Sequence, residues 1–361
     1  MTPEERAVFE ACERRVSGHR AQPTMRAWLE ALSASPGADA PPDFYGEGDA
    51  LQDLEQQVAA LLGHPAAVFS IKGVIAQQAA LRVWTDRTHT PVVALHPLSH
   101  IDDDEESALE WLHRVHVVRV GEQAPFTVED LDSAGQPLGA VVVELPLRNA
   151  GFLLPAWESL VDISGWCRQR GVPLHLDGAR LWESAPYYER SYAEIATLFD
   201  SVYVSLYKGL GAPAGCLLAG SDEFLAAVRP WLLRHGSSLF TAFPYVLGGL
   251  DGLQTHLPRM PEYVARARTL AAALGEVRGI RIVPDPPQTN GFQLLMPRNV
   301  DALKAAHLAA AAESSLWLSG GITATTVPDV AKLEVQVGNA ADDVRDDDVA
   351  ALAAEMLTRA G

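Results

Sequence analysis

The strongest constraint in the sequence is an alternation. From residue 51 to residue 220, short runs rich in β-branched residues are separated mostly by helix-length segments. That pattern predicts a sheet of parallel strands covered by helices. The runs are AAVFS (66–70), PVVAL (91–95), HVVRV (116–120), GAVVVEL (139–145), VPLHLD (172–177), SVYVSLY (201–207) and GCLLAG (215–220). Between them, Leu51, Leu54, Val58, Leu61 and Leu62 recur at helical spacing and stop at Gly63. A second helix is predicted from Gly73 to about Trp84, and residues 155–171 form the clearest third.

At 361 residues the chain exceeds what one hydrophobic core usually holds. Two prolines in HLPRMPEY (256–263) suggest a boundary near residue 258. The expected division is an N-terminal helical segment and arm (1–50), a large domain (51–258) and a smaller α/β domain (259–361). In the last of these RIVPD, GFQLLMP, SLWLSG and KLEVQV alternate with an Ala-rich helix and a final helix expected to be capped by the aspartates at 346–348. A net charge of −18 repels polyanions, so no nucleic-acid partner is expected. Cys12, Cys167 and Cys216 show neither CxxC spacing nor an even count, so neither a disulfide framework nor a metal site is predicted. The charged N-terminus lacks the apolar stretch of a signal peptide, and no run of about 18 apolar residues occurs. A cytoplasmic protein that neither crosses nor enters a membrane is expected.

Open parallel sheets bind ligands outside the carboxyl ends of their strands. Three features fall there: Asp177 in HLDGAR, Lys208 in SVYVSLYKGLGAPAG, and the strand-to-helix turn SIKG (70–73). Singly each has an ordinary reading, as a turn former, a solvated strand end and a tight connection. Together they meet the demands of pyridoxal 5'-phosphate. Its aldehyde needs a lysine amine, its pyridine nitrogen an acid, and its phosphate a helix N-terminus. Arg180, three residues after Asp177, suits the carboxylate of an amino-acid substrate.

FYGEGDALQDLEQQVAALLGHPAAVF, HLDGARLWE and SLYKGLGAPAGCLLAG together resemble the low-specificity L-threonine aldolases, in the β-eliminating lyase group of fold-type-I pyridoxal phosphate enzymes. The resemblance runs from about Phe44 to Gly220. It implies the α/β aspartate-aminotransferase-like fold: a three-layer α/β/α large domain with a smaller C-terminal α/β domain. It also implies a Schiff-base lysine at Lys208, Asp177 at the ring nitrogen, Arg180 on the substrate carboxylate, and a histidine over the ring. His100 in LSHI matches that histidine, with His96 the near competitor. Lys72, Gly73 and Val74 take the place of the phosphate turn, and Tyr45 in FYGEG that of an active-site wall. A homodimer or homotetramer is implied as well.

The chain departs from the family pattern in its substrate shell. Val74 replaces a threonine and Tyr207 a phosphate-binding serine. The segment that usually carries a second histidine reads ELPLRNAG, leaving Glu144 and Arg148 as candidate side-chain contacts. An arginine expected near residue 240 is Phe240, although Arg234 and His235 lie close by. The implied reaction is retro-aldol cleavage of a β-hydroxy-α-amino acid to glycine and an aldehyde, with His100 as base. The alternatives are β-elimination or another Cα-carbanion reaction on the same lysine, and a binding protein that has lost catalysis.

Overall fold

The apolar stripe ending at Gly63 forms helix α1 (Asp49–Leu62), and Gly63 closes it at φ +65. Leu51, Leu54, Val58 and Leu62 are at most 2% exposed, and burial of each side chain contributes about 1.5–3 kcal/mol. The computed structural model describes residues 1–20, 24–35 and 37–361. They divide into Glu30–Pro258, and Met1–Leu29 together with Arg259–Gly361.

The larger unit holds a seven-stranded sheet of β1 (Ala66–Ser70), β2 (Val92–Leu95), β3 (His116–Arg119), β4 (Ala140–Glu144), β5 (Leu174–Gly178), β6 (Ser201–Ser205) and β7 (Cys216–Gly220). Its order is β1-β7-β6-β5-β4-β2-β3. The β6-β5-β4-β2-β3 pairings are parallel. The all-parallel expectation fails at β7, which is antiparallel to both β6 and β1. Residues 206–215 alone join β6 to β7, and a parallel return needs a longer crossover, usually a helix. Because β1 is antiparallel to β7, it runs the same way as β4–β6, and its carboxyl end lies at their edge. Helix α2 (Gly73–Thr88) follows β1, the short α3 (His100–Asp103) follows β2, α4 (Trp157–Arg170) follows β4 and α5 (Leu181–Tyr188) follows β5. Helices α6 (Asp222–Arg234) and α7 (Phe243–Thr255) complete this unit's principal elements.

The other unit carries an antiparallel sheet of β8 (Arg281–Val283), β9 (Gly291–Met296), β10 (Ile322–Ala324) and β11 (Ala331–Gln336), ordered β10-β11-β9-β8. Its principal helices are α8 (Met260–Gly275), α9 (Val300–Ser314) and α10 (Asp346–Arg359). SLWLSG does not join this sheet, since Leu316–Trp317 pairs in parallel with Arg14–Arg15. That pairing, with the T-shaped packing of Phe9 on Trp317, joins the first residues to this unit. The aspartates at 346–348 fill the first turn of α10 without capping it; the cap position is Arg345.

Candidate active site

β4, β5 and β6 end side by side, which brings Glu144, Asp177 and Lys208 to one edge. Glu144 lies opposite Asp177 in the β4–β5 register, and Asp177 opposite Tyr203 in the β5–β6 register. Asp177 is 1% exposed. Its Oδ2 accepts from Gln77 Nε2 at 2.7 Å, and its Oδ1 accepts from the Ala179 amide at 3.1 Å. Lys208 follows β6. Burial and the neighbouring charge of Arg180 press its ammonium pKa down to about 8, against the opposing pull of Asp177, Glu144 and Glu183. The charges of Lys208, Asp177 and Arg180 thus act within one neighbourhood.

Arg180 stands at the start of α5, is 8% exposed, and lays its guanidinium over the Phe152 ring at 5.6 Å. Glu183 is buried one helical turn on, and one of its oxygens, Oε2, has no hydrogen-bond partner. A Cβ on Gly209 would overlap this carboxyl, so the residue after the lysine has room for no side chain. Burial raises the Glu183 pKa, while Arg180 and Lys208 hold it back.

Of the two candidate histidines, only His100 feels the charges of Asp177 and Lys208 at this edge. Its Nδ1 lies 3.1 Å from Glu105 Oε1, and Glu105 is itself held by Gln78 Nε2 at 3.0 Å. The hydrogen bond to Glu105 raises the His100 pKa, with a further contribution from Asp177. His96 has both ring nitrogens on backbone: Nε2 bonds Ala124 O at 2.9 Å and Nδ1 accepts from the Leu98 amide at 3.0 Å. It shapes a loop. Glu144 accepts from the His100 amide at 2.7 Å and from the Arg148 amide at 3.3 Å, which ties two loops to the end of β4. Burial and the Asp177 charge push its pKa up to about 7.

At the turn after β1, Lys72 is the exposed N-cap residue of α2, Gly73 is buried and Val74 half-buried. A Cβ on Gly73 would overlap the Tyr203 hydroxyl, which itself hydrogen-bonds Tyr207. The amines of Lys72 and Lys208 each lie 5.8 Å from the Tyr207 ring centroid. The tyrosine that replaces a serine is therefore within cation–π reach of both lysines.

Tyr45 is not brought to this cluster within one chain. It is 66% exposed at φ +49, its amide donates to Phe240 O at 3.1 Å, and its ring meets Phe240 edge-on. It borders a cavity of about 290 Å³ whose walls include Asp43, Glu55, Phe69 and Arg229 but none of Lys208, Asp177 or Arg180. The basic residues near Phe240 are engaged elsewhere, Arg234 over Trp231 at 4.5 Å and His235 against His113 at 3.1 Å.

Sequence reasoning missed Gln77, Gln78, Glu105 and Glu183. The two glutamines interrupt the apolar run of α2, a signal that could have marked them. Glu105 sits in the acidic run DDDEE, which reads as a solvated face, and Glu183 carries no signal beyond its one-turn spacing from Arg180.

Residues 20–296 match the family profile of the beta-eliminating lyases. The chain belongs to the beta-eliminating lyase family. It superposes with a TM-score of 0.92 on a Listeria monocytogenes protein provisionally named an L-allo-threonine aldolase, at 33% identity over 99% of both chains. The low-specificity L-threonine aldolase of Saccharomyces cerevisiae is 31% identical over 60% of this chain and 57% of its own length. That of Candida albicans is 30% identical over 54% of each. The aligned stretch thus spans little more than half of either yeast protein. The fold is that of the fold-type-I enzymes of this family, an α/β unit with a mixed central sheet and a smaller sheet unit.

Proposed function

We propose that this chain is a pyridoxal-phosphate-dependent lyase that cleaves a β-hydroxy-α-amino acid to glycine and an aldehyde. The observation that carries the reading is Lys208: a half-buried amine whose pKa is pressed down to about 8, at the same sheet edge as Asp177 and Arg180. The residues fit the cofactor. Lys208 supplies the amine for its aldehyde and Asp177 the acid for its ring nitrogen. The N-terminus of α2 at Gly73 and Val74, with Lys72, receives its phosphate, and Gly73 and Gly209 stand where a side chain would collide. Bound there, pyridoxal phosphate supplies an electron sink for the pair released at Cα.

The protein groups do the rest. Arg180, fixed over Phe152, takes the substrate carboxylate. His100 bonds Glu105 through Nδ1, which leaves Nε2 to accept the β-hydroxyl proton, and the raised pKa strengthens it as a base. Glu144 holds the turn that presents His100, and Arg148, on the separate loop after β4, faces the substrate side chain. We assign cofactor binding to residues 51–258. The homo-oligomer supplies the Tyr45 wall from a neighbouring subunit, and a reducing cytoplasm suits three free, buried cysteines. The relatives' names, which specify threonine and allo-threonine aldolases, support the substrate class.

The test is product identification. Holoenzyme incubated with threonine, allo-threonine and phenylserine is expected to release glycine and the matching aldehyde. Ammonia with a keto acid in their place would overturn the reading.

A further inference from the structure

Behind Asp177 runs a buried chain of side chains that no step above uses. Trp84 Nε1 donates to Ser201 Oγ at 2.8 Å, and Ser201 Oγ lies 2.8 Å from His175 Nδ1. His175 Nε2 lies 3.2 Å from Gln77 Oε1, and Gln77 Nε2 donates to Asp177 Oδ2 at 2.7 Å. His175 and Ser201 are 0% exposed, Gln77 1% and Trp84 8%. The fold sets this up from two elements. Gln77 and Trp84 lie two turns apart on α2, while His175 and Ser201 are register partners on β5 and β6.

The two ends of the chain differ in kind. An indole N–H can only donate, and a carboxylate can only accept. Ser201, having accepted from Trp84, turns its own proton to His175 Nδ1. The imidazole then carries its proton on Nε2 and gives it to the Gln77 carbonyl. This turns the Gln77 NH₂ group, not its oxygen, toward Asp177. We propose that Trp84, Ser201, His175 and Gln77 form a direction-fixed hydrogen-bond relay that holds the Asp177 carboxylate in place for the cofactor ring nitrogen. They are positioning residues and touch neither substrate nor cofactor. Burial also pushes the His175 pKa down to about 4 against the opposing pull of Asp177 and of the Ser201 backbone, so the ring keeps an acceptor nitrogen at neutral pH.

The relay's polarity stands on its own; its part in catalysis rests on the proposed function. Two readouts separate them. In cofactor-free protein labelled with ¹⁵N-histidine, the His175 signal, assigned by its loss in His175→Gln or its shift in Ser201→Thr, is expected as the neutral Nε2–H tautomer from pH 5.5 to 9. An Nδ1–H tautomer or a charged ring at pH 7 would overturn the relay. Ser201→Ala is expected to weaken pyridoxal phosphate binding roughly five- to twentyfold, and Ser201→Thr to restore it to within about twofold. Unchanged affinity in a folded Ser201→Ala protein would also overturn it. Should Ser201→Ala not fold, the tautomer of the unsubstituted protein decides. Unsubstituted protein that binds no pyridoxal phosphate while showing the Nε2–H tautomer would refute the proposed function and leave the relay standing.

Discussion

His100 owes its basicity to a carboxylate five residues on. Glu105 is buried, so its hydrogen bond to Nδ1 is weakly screened and favours the protonated ring. A base must be neutral to act, so kcat is expected to rise with pH through a value above the ordinary histidine pKa of about 6.5. Glu105→Gln removes the charge that favours the protonated ring, so the acid limb of the profile should move to lower pH by up to about one unit. An unmoved limb would show that His100 is not the titrating base. At this scale the sequence spoke unevenly. Asp177, Arg180 and Lys208 were legible because they stand in DGAR and KGLG, beside strand ends. Glu105 was not, since nothing in DDDEE distinguishes the fully buried carboxylate from its neighbours.

Gly73 joins strand to helix, and its lack of a side chain follows from packing, not from backbone conformation: the Tyr203 hydroxyl occupies the space a Cβ would need. Gly73→Ala should push α2 away from the sheet. The expected effect is about 1–3 kcal/mol of destabilisation with weaker cofactor binding, partly restored by Tyr203→Phe. Thermal melts and cofactor titration check it; a stable, tightly binding Gly73→Ala protein would contradict the packing account. Glu144 makes a similar link between elements. Glu144→Gln can accept only one of its two backbone bonds at full strength, and is expected to cost about 1–3 kcal/mol, read by chemical denaturation. The strands were legible because buried β-branched runs such as AVVVE and SVYVS have few alternatives. Strand β10 was not, being three residues long with two of them exposed. The reversal of β7 was hidden for another reason: strand runs report burial and carry no direction, and only the short link of residues 206–215 hints at it.

For the whole molecule, a net charge of −18 surrounds a site meant for an anionic cofactor, so Lys72, Arg180 and Lys208 must supply positive charge locally. Tyr45 and Phe240 form an exposed aromatic contact away from that cluster, at 66% and 60% exposure. In the proposed oligomer this surface is covered. Light scattering on the eluting protein is expected to give two or four times the chain mass of 38.9 kDa; the mass of a single chain would contradict it. No helix among the described residues is long and apolar enough to cross a membrane. The central claim, that Lys208 and Asp177 act on one pyridoxal phosphate, is tested most directly by borohydride reduction of the holoenzyme followed by peptide mass spectrometry. The account predicts a pyridoxyl group on Lys208, lost in Lys208→Ala; a pyridoxyl group on Lys72 instead, or none on any lysine, would contradict it.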